Sequence, residues 1–251
     1  MSRVTSILDR ARRVLSDKDK TRWSDADLLE TLNEGLESFI LQTETLKLRS
    51  YIAIENNISL YDISAYAMSI KRVSYLNKVL ESKTYKEMDT TSPLWDDNTG
   101  TEPKYVIFNN LKSGTFKIYP KVPSGMADIV TANSAYGALI DIEVMDDLFQ
   151  IPTAEEIEVD IAKYLLVYYI GKPNTVTIDT LDVTMQIDSK YDTALVAYIT
   201  AQHLLFDQDT LSRELGLNQA SIFTGYVAEA KVNESTSNNT FASYITTYRR
   251  F

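Results

Sequence analysis

The stretch RWSDADLLETLNEGLESFILQ, residues 22–42, writes out a helix together with its start. Ser24 is an N-cap, and Asp27 lies three residues on, where its carboxylate reaches back to the cap's backbone N–H. Trp23 precedes the cap and Leu28 takes the fourth helical position, the two halves of a hydrophobic staple. Asp25 and Asp27 put negative charge in the first turn, where the helix dipole favours it. Leu28, Leu29, Leu32, Leu36, Phe39 and Ile40 then form one apolar stripe. Gly35 interrupts it at a cost of about 1 kcal/mol against alanine, which close approach of a second helix would explain. Such a stripe needs partners, and the rest of the chain must supply them.

The ends of the chain do so. Val4, Ile7, Leu8, Ala11, Val14 and Leu15 give Ser2–Leu15 an apolar face, and residues 17–22 are a connector short enough for an antiparallel helix hairpin. Residues 189–207 and 218–232 are again helical in period, with Tyr191, Ala194, Leu195, Tyr198, Ala201 and Leu205 on one side of the first and Ala220, Phe223, Val227 and Ala230 on one side of the second. A further helix is expected from Pro152 to Gly171, with Ile157, Ile161, Tyr164, Leu165 and Tyr168 along it. Between lie short strand candidates at 51–54, 58–63, 69–76, 84–88, 104–108, 115–119 and 128–132, with a surface loop at 91–103 and a hairpin signal in NNLKSG. Residues 175–187, rich in Val, Thr and Ile, read as extended structure projecting from the helices. The fold class is therefore α+β: a helical bundle from both chain ends, with an inserted antiparallel β-sandwich or barrel-like unit. In domain terms, 1–50 are the helix hairpin, 51–150 the β unit, 151–234 the closing helices with an extended insertion at about 174–188, and 235–251 a flexible arm behind the tract ESTSNNT.

Composition removes several function classes. The 251 residues carry 25 Lys and Arg against 35 Asp and Glu, a formal charge of −10, whereas a general nucleic-acid binder is basic. The absence of cysteine excludes disulfides, thiolate metal sites and a cysteine nucleophile. The longest apolar run, 164–170, is too short to span a bilayer, and the N-terminus lacks the apolar core of a signal peptide, so a soluble chain without a membrane partner is expected.

The phrase RWSDADLLETLNEG (22–35), the pair YDTALVAYITAQHLLFDQD and RELGLNQASIFTGY within 191–226, and the strand phrases IKRVSYL (70–76) and FKIYPKVP (116–123), with Tyr85 and Met88 between them, resemble the head-to-tail adaptor (connector) proteins of tailed bacteriophages, short-tailed ones above all. Residues 137–187 depart from that pattern and look like an insertion. The resemblance implies a structural virion protein without catalysis or cofactor. Such proteins are made in the host cytoplasm and form a homo-oligomeric ring, commonly of twelve copies, at the head–tail junction. There they dock on the portal protein, extend the channel through which DNA passes at genome ejection, and carry tail or nozzle proteins.

Four groups of residues stand as candidate sites. The tail residues Phe241, Tyr244, Tyr248, Arg249, Arg250 and Phe251 are of the types enriched in binding hot spots and are the expected portal or neighbour contact. Asp141, Glu143, Asp146 and Asp147 lack the glycine and distal glutamate of a calcium loop, so a solvated or channel-facing acidic loop is expected rather than a metal site; facing the channel, it would let DNA pass without adhering. His203, the only histidine, is expected to be packed or interfacial. Glu155 and Glu156 could serve glycoside hydrolysis, but a helix N-terminus explains them better. The arginines of the first helix face DNA, a neighbour's acidic surface, or only solvent. A tail-associated glycan-binding or glycan-hydrolysing protein is the competing reading.

Overall fold

The helix read at 22–42 is α2, Asp25–Thr43, and its start is built as the sequence dictates. Ser24 Oγ accepts from the Asp27 N–H at 3.1 Å, and Asp27 Oδ2 accepts from the Ser24 N–H at 3.1 Å. Its end was not announced by a glycine: Glu44 adopts the left-handed conformation (φ 56°) and donates its N–H to the Ile40 carbonyl. The computed structural model describes residues 2–122 and 164–248 except 56, 77, 93, 110, 111 and 208, and gives only the backbone of 53, 164 and 235–248.

The chain divides into two units, residues 1–46 with 173–251, and residues 47–172. In the first, α1 (Arg3–Val14) and α2 are joined by α4 (Asp192–Leu205) and α5 (Thr210–Tyr248). All the predicted stripe residues of α2 are buried. Phe39 lies at the meeting point of three helices, its ring centroid 4.9 Å from Tyr191 and 6.3 Å from Phe223, while Tyr198 packs edge-on to Phe223 at 5.0 Å. Gly35 is where α2 and α4 approach, since a Cβ there would stand 2.8 Å from Cδ1 of Tyr198.

Residues 172–188 hold no strand and do not project as a hairpin. Val176, Met185 and Ile187 are buried, and the Asn33 side chain clamps Val176, donating to its carbonyl and accepting from its N–H, both at 2.9 Å. Helix α5 is longer than expected. It runs through ESTSNNT, where a flexible tether was anticipated; no proline or glycine occurs between 226 and 248 to end a helix already under way.

The second unit contains β1 (Lys47–Ala53), β2 (Leu60–Asp62), β3 (Ala67–Tyr75), β4 (Lys78–Val79), β5 (Glu81–Ser82), α3 (Tyr85–Thr91), β6 (Tyr105–Phe108), β7 (Thr115–Tyr119) and β8 (Tyr164–Gly171). Its described strands form two four-stranded sheets, β1-β8-β3-β4 and β2-β7-β6-β5, not one closed barrel, and the β5–β6 pair is parallel. Three expectations are corrected here. Residues 164–171 are a central strand, not the end of a helix: Leu165, Val167 and Tyr169 are buried while Leu166 and Tyr168 are half-buried, a period of two. Residues 84–88 are not a strand but the cap and first turns of α3, because Thr84 and Glu87 form a capping box. The loop at 91–103 is not wholly a surface feature, since Trp95 is buried with Met88 and Ile107 and donates its indole N–H to Asp89. The candidate strand at 128–132 and residues 152–163 lie outside the described residues.

Two glycines on these helices should respond oppositely to alanine. Gly225 is exposed, and a Cβ there meets nothing within 4 Å, so Gly225→Ala should stabilise by up to about 1 kcal/mol. Gly35→Ala should instead lower the thermal midpoint, because the clash with Tyr198 outweighs the same gain in helix propensity. Thermal unfolding of the two variants followed by circular dichroism checks the pair.

Candidate functional site

The described residues of the first unit are held by a hydrogen-bonded scaffold. The scaffold begins at Arg12, one residue after Ala11 and four after Leu8, inside the apolar stripe of α1 and only 3% exposed. A guanidinium there must be neutralised. Its Nη1 donates to Asp17 Oδ2 at 2.7 Å and to the Trp23 carbonyl at 2.9 Å, and its Nη2 donates to Asp25 Oδ1 at 2.6 Å. Asp17 in turn accepts the backbone N–H groups of Thr21, Arg22 and Trp23 at 2.9–3.1 Å, folding the connector over itself. Every residue of the phrase RWSD thus has a task. Arg22 pairs with Asp207 beyond α4 at 2.6 Å, Trp23 packs on His203 at 4.5 Å, Ser24 caps α2, and Asp25 joins Arg12 to Lys20.

The other arginines of α1 largely do the same work. Arg3 donates twice to Asp192 Oδ1, at 2.6 and 2.9 Å, and once to the Ile187 carbonyl, and Arg10 donates to Thr193 Oγ1 at 2.8 Å. They fasten α1 to the start of α4, so a role as a row facing DNA or solvent is corrected for Arg3, Arg10 and Arg12. Arg13 stays exposed, donating to the Asp9 carbonyl.

Burial pushes the Asp17 carboxyl up, but the three N–H groups and the Arg12 guanidinium outweigh it and hold the group below its ordinary value. His203 moves in the opposite direction to a paired histidine. Burial pushes it down, the Asp27 carboxylate pulls it up, Arg12 pushes it down again, and the net shift is downward. Its Nε2 lies 3.3 Å from Thr31 Oγ1 and it is 9% exposed, a packed histidine as expected.

Of the expected site residues, Phe241, Tyr244 and Tyr248 fall on the last turns of α5. Arg249, Arg250, Phe251, Asp141, Glu143, Asp146, Asp147, Glu155 and Glu156 lie outside the described residues. Among the described residues no group of three or more His, Asp or Glu side chains could hold a metal ion, and no helix is long and apolar enough to cross a membrane. Exposed apolar side chains gather at the α4–α5 turn, with Phe206 83% and Leu211 73% exposed. Arg12 and Asp17 are what sequence reasoning missed; the one signal was an arginine placed within an apolar stripe.

The family model of the SU10 adaptor protein matches residues 2–243, nearly the whole chain, and the chain belongs to that family. The match takes in every phrase that resembles the phage head-to-tail adaptors, and an adaptor role in a phage particle follows from it. No curated protein matches the chain.

Two measurements test the scaffold. Arg12→Leu should cost about 3–5 kcal/mol of stability, since it leaves buried acceptors uncompensated. Removing an exposed partner, as in Lys190→Ala, should change stability by less than about 1 kcal/mol; urea unfolding compares the two. Because His203 is held below the value of about 6.5 that it regains on unfolding, the unfolded chain binds the extra proton first. Stability should therefore be full above that value and fall as the pH drops through it, and NMR of the sole histidine should place its folded-state titration below that of a free histidine.

Proposed function

We propose that this SU10 adaptor protein is a structural component of the head–tail junction, twelve copies of which close into a ring on the portal protein. The family match over residues 2–243 carries this reading. A ring of identical copies joined head to tail needs a subunit stiff enough to hold its rotation angle, and the Arg12 network, the Asn33 clamp and the three-helix contact at Phe39 favour such stiffness. The ring extends the DNA channel and presents a platform for tail or nozzle proteins. Its role is binding, not catalysis.

Docking on the portal or on a neighbouring copy falls to Phe241, Tyr244, Tyr248, Arg249, Arg250 and Phe251. Support comes from residue type and from spacing, because positions 241, 244 and 248 recur at intervals of three and four, the repeat that shares one side of a helix. Asp141, Glu143, Asp146 and Asp147 line the channel side in this reading, where like charge keeps the passing genome from adhering.

Deleting residues 238–251 should leave the thermal midpoint close to that of the full chain and abolish binding to portal-bearing heads. Sedimentation of heads with bound protein reads the result, and undiminished binding by the truncated chain would remove the tail from the docking site.

A further inference from the structure

A row of three residues crosses the first sheet of the second unit. Arg49 on β1 and Arg72 on β3 are both registered opposite Tyr168 on the central strand β8, so the three share one face. Two residues along the same face, Tyr51 stands opposite Leu166. A bulge between Ile70 and Arg72 sets the register that brings Arg72 opposite the tyrosine, and its guanidinium lies 3.9 Å from the ring centroid. Arg72 is exposed, and Arg49, Tyr51, Leu166 and Tyr168 are half-buried.

Stacking occupies the flat face of a guanidinium and leaves the N–H donors at its rim available. Among the described residues Arg72 has no hydrogen-bond acceptor and no ion-pair partner; the ring is its one contact of this kind. Held by the ring, the group loses little freedom on meeting an acceptor, and planar, paired N–H groups suit a carboxylate or a phosphate. The surroundings choose between these. Lys47 lies two residues along the same face, opposite Ile170, so the face is basic as well as aromatic. Arg and Tyr are side chains enriched in protein–protein contact centres, and a chain of net charge −10 is poorly suited to holding DNA phosphates. The same excess, 35 acidic against 25 basic residues, makes another copy of this chain a source of carboxylates complementary to Arg72.

We infer that Arg72, stacked on Tyr168, is the group through which one copy grips a carboxylate of the next copy in the ring. This rests on the ring reading above and adds the face that joins the copies. The contact is heterologous: Arg72 on one copy meets a different surface of its neighbour, as closure of a ring requires.

The absence of cysteine makes the test clean. Tyr51→Cys, on the same face and two residues from Arg49, introduces the sole thiol and leaves Arg72 in place; it is labelled with a benzophenone maleimide, assembled in the full chain on portal-bearing heads, and irradiated. The expected product is a band of twice the chain's mass whose joined peptide comes from an acidic segment of this same sequence. In parallel, Arg72→Glu should raise the concentration needed for half-occupancy of heads by about tenfold or more, with an unchanged circular dichroism spectrum and thermal midpoint. Cross-linking to DNA, to portal or to another protein, absence of any cross-link, or unchanged occupancy by Arg72→Glu would overturn the inference while the ring stands. Wild-type chain that forms no ring on the heads would overturn the ring reading, and this inference with it.

Discussion

A guanidinium buried within an apolar helix face has to be answered, and the first unit is arranged around the answer. Arg12 enters the stripe of α1 and draws in Asp17 from the connector, the Trp23 carbonyl and Asp25 from the first turn of α2. Those contacts fix where the hairpin turns and where α2 begins. With its start fixed, α2 presents Leu28 to Ile40 as a continuous buried stripe, and Gly35 falls where Tyr198 of α4 needs the space. Loss of the network would leave unpaired charge in the interior, so the hairpin and its polar turn stand or fall together.

That arrangement explains why a chain with its helices at both ends behaves as one helical unit. Contacts between residues more than 180 positions apart, Arg3 with Asp192 and Arg22 with Asp207, tie the opening helices to the closing ones. The second unit, residues 47–172, is inserted between them in sequence.

The strongly patterned parts of this fold were legible in the sequence. The capping box at Ser24, the stripe of α2, the purpose of Gly35, the strands at 67–75, 105–108 and 115–119 and the packed state of His203 all follow from local rules applied to local residues. The failures have physical causes. Residues 164–171 are apolar nearly throughout, so Leu165 with Tyr168 fits a helix as readily as Leu165 with Val167 and Tyr169 fits a strand. Only the enrichment in tyrosine and β-branched residues, and finally pairing on both sides by β1 and β3, decides for the strand. Thr84 and Glu87 spell a capping box, but the short alternation around them fits a strand as readily. The run through ESTSNNT reads as a tether by composition, yet low helix propensity is a weak force once a helix is already propagating. Arg12, Asp17 and the Asn33 clamp are tertiary facts: each depends on partners brought together by the fold. The tail residues, chosen by type and resemblance, remain the proposed contact.

Taken together, a two-ended helical unit, a sheet unit with an arginine stacked on a tyrosine, a long closing helix and membership of the SU10 adaptor family describe a phage adaptor subunit, which we propose is repeated around an axis. The central claim is that the repetition happens on the portal. The most direct measurement is electron microscopy of portal-bearing heads with and without the purified chain. The account predicts an added ring of twelve subunits at the portal vertex, continuous with the channel. Heads that show no added density at that vertex, or density without rotational repetition, would contradict it.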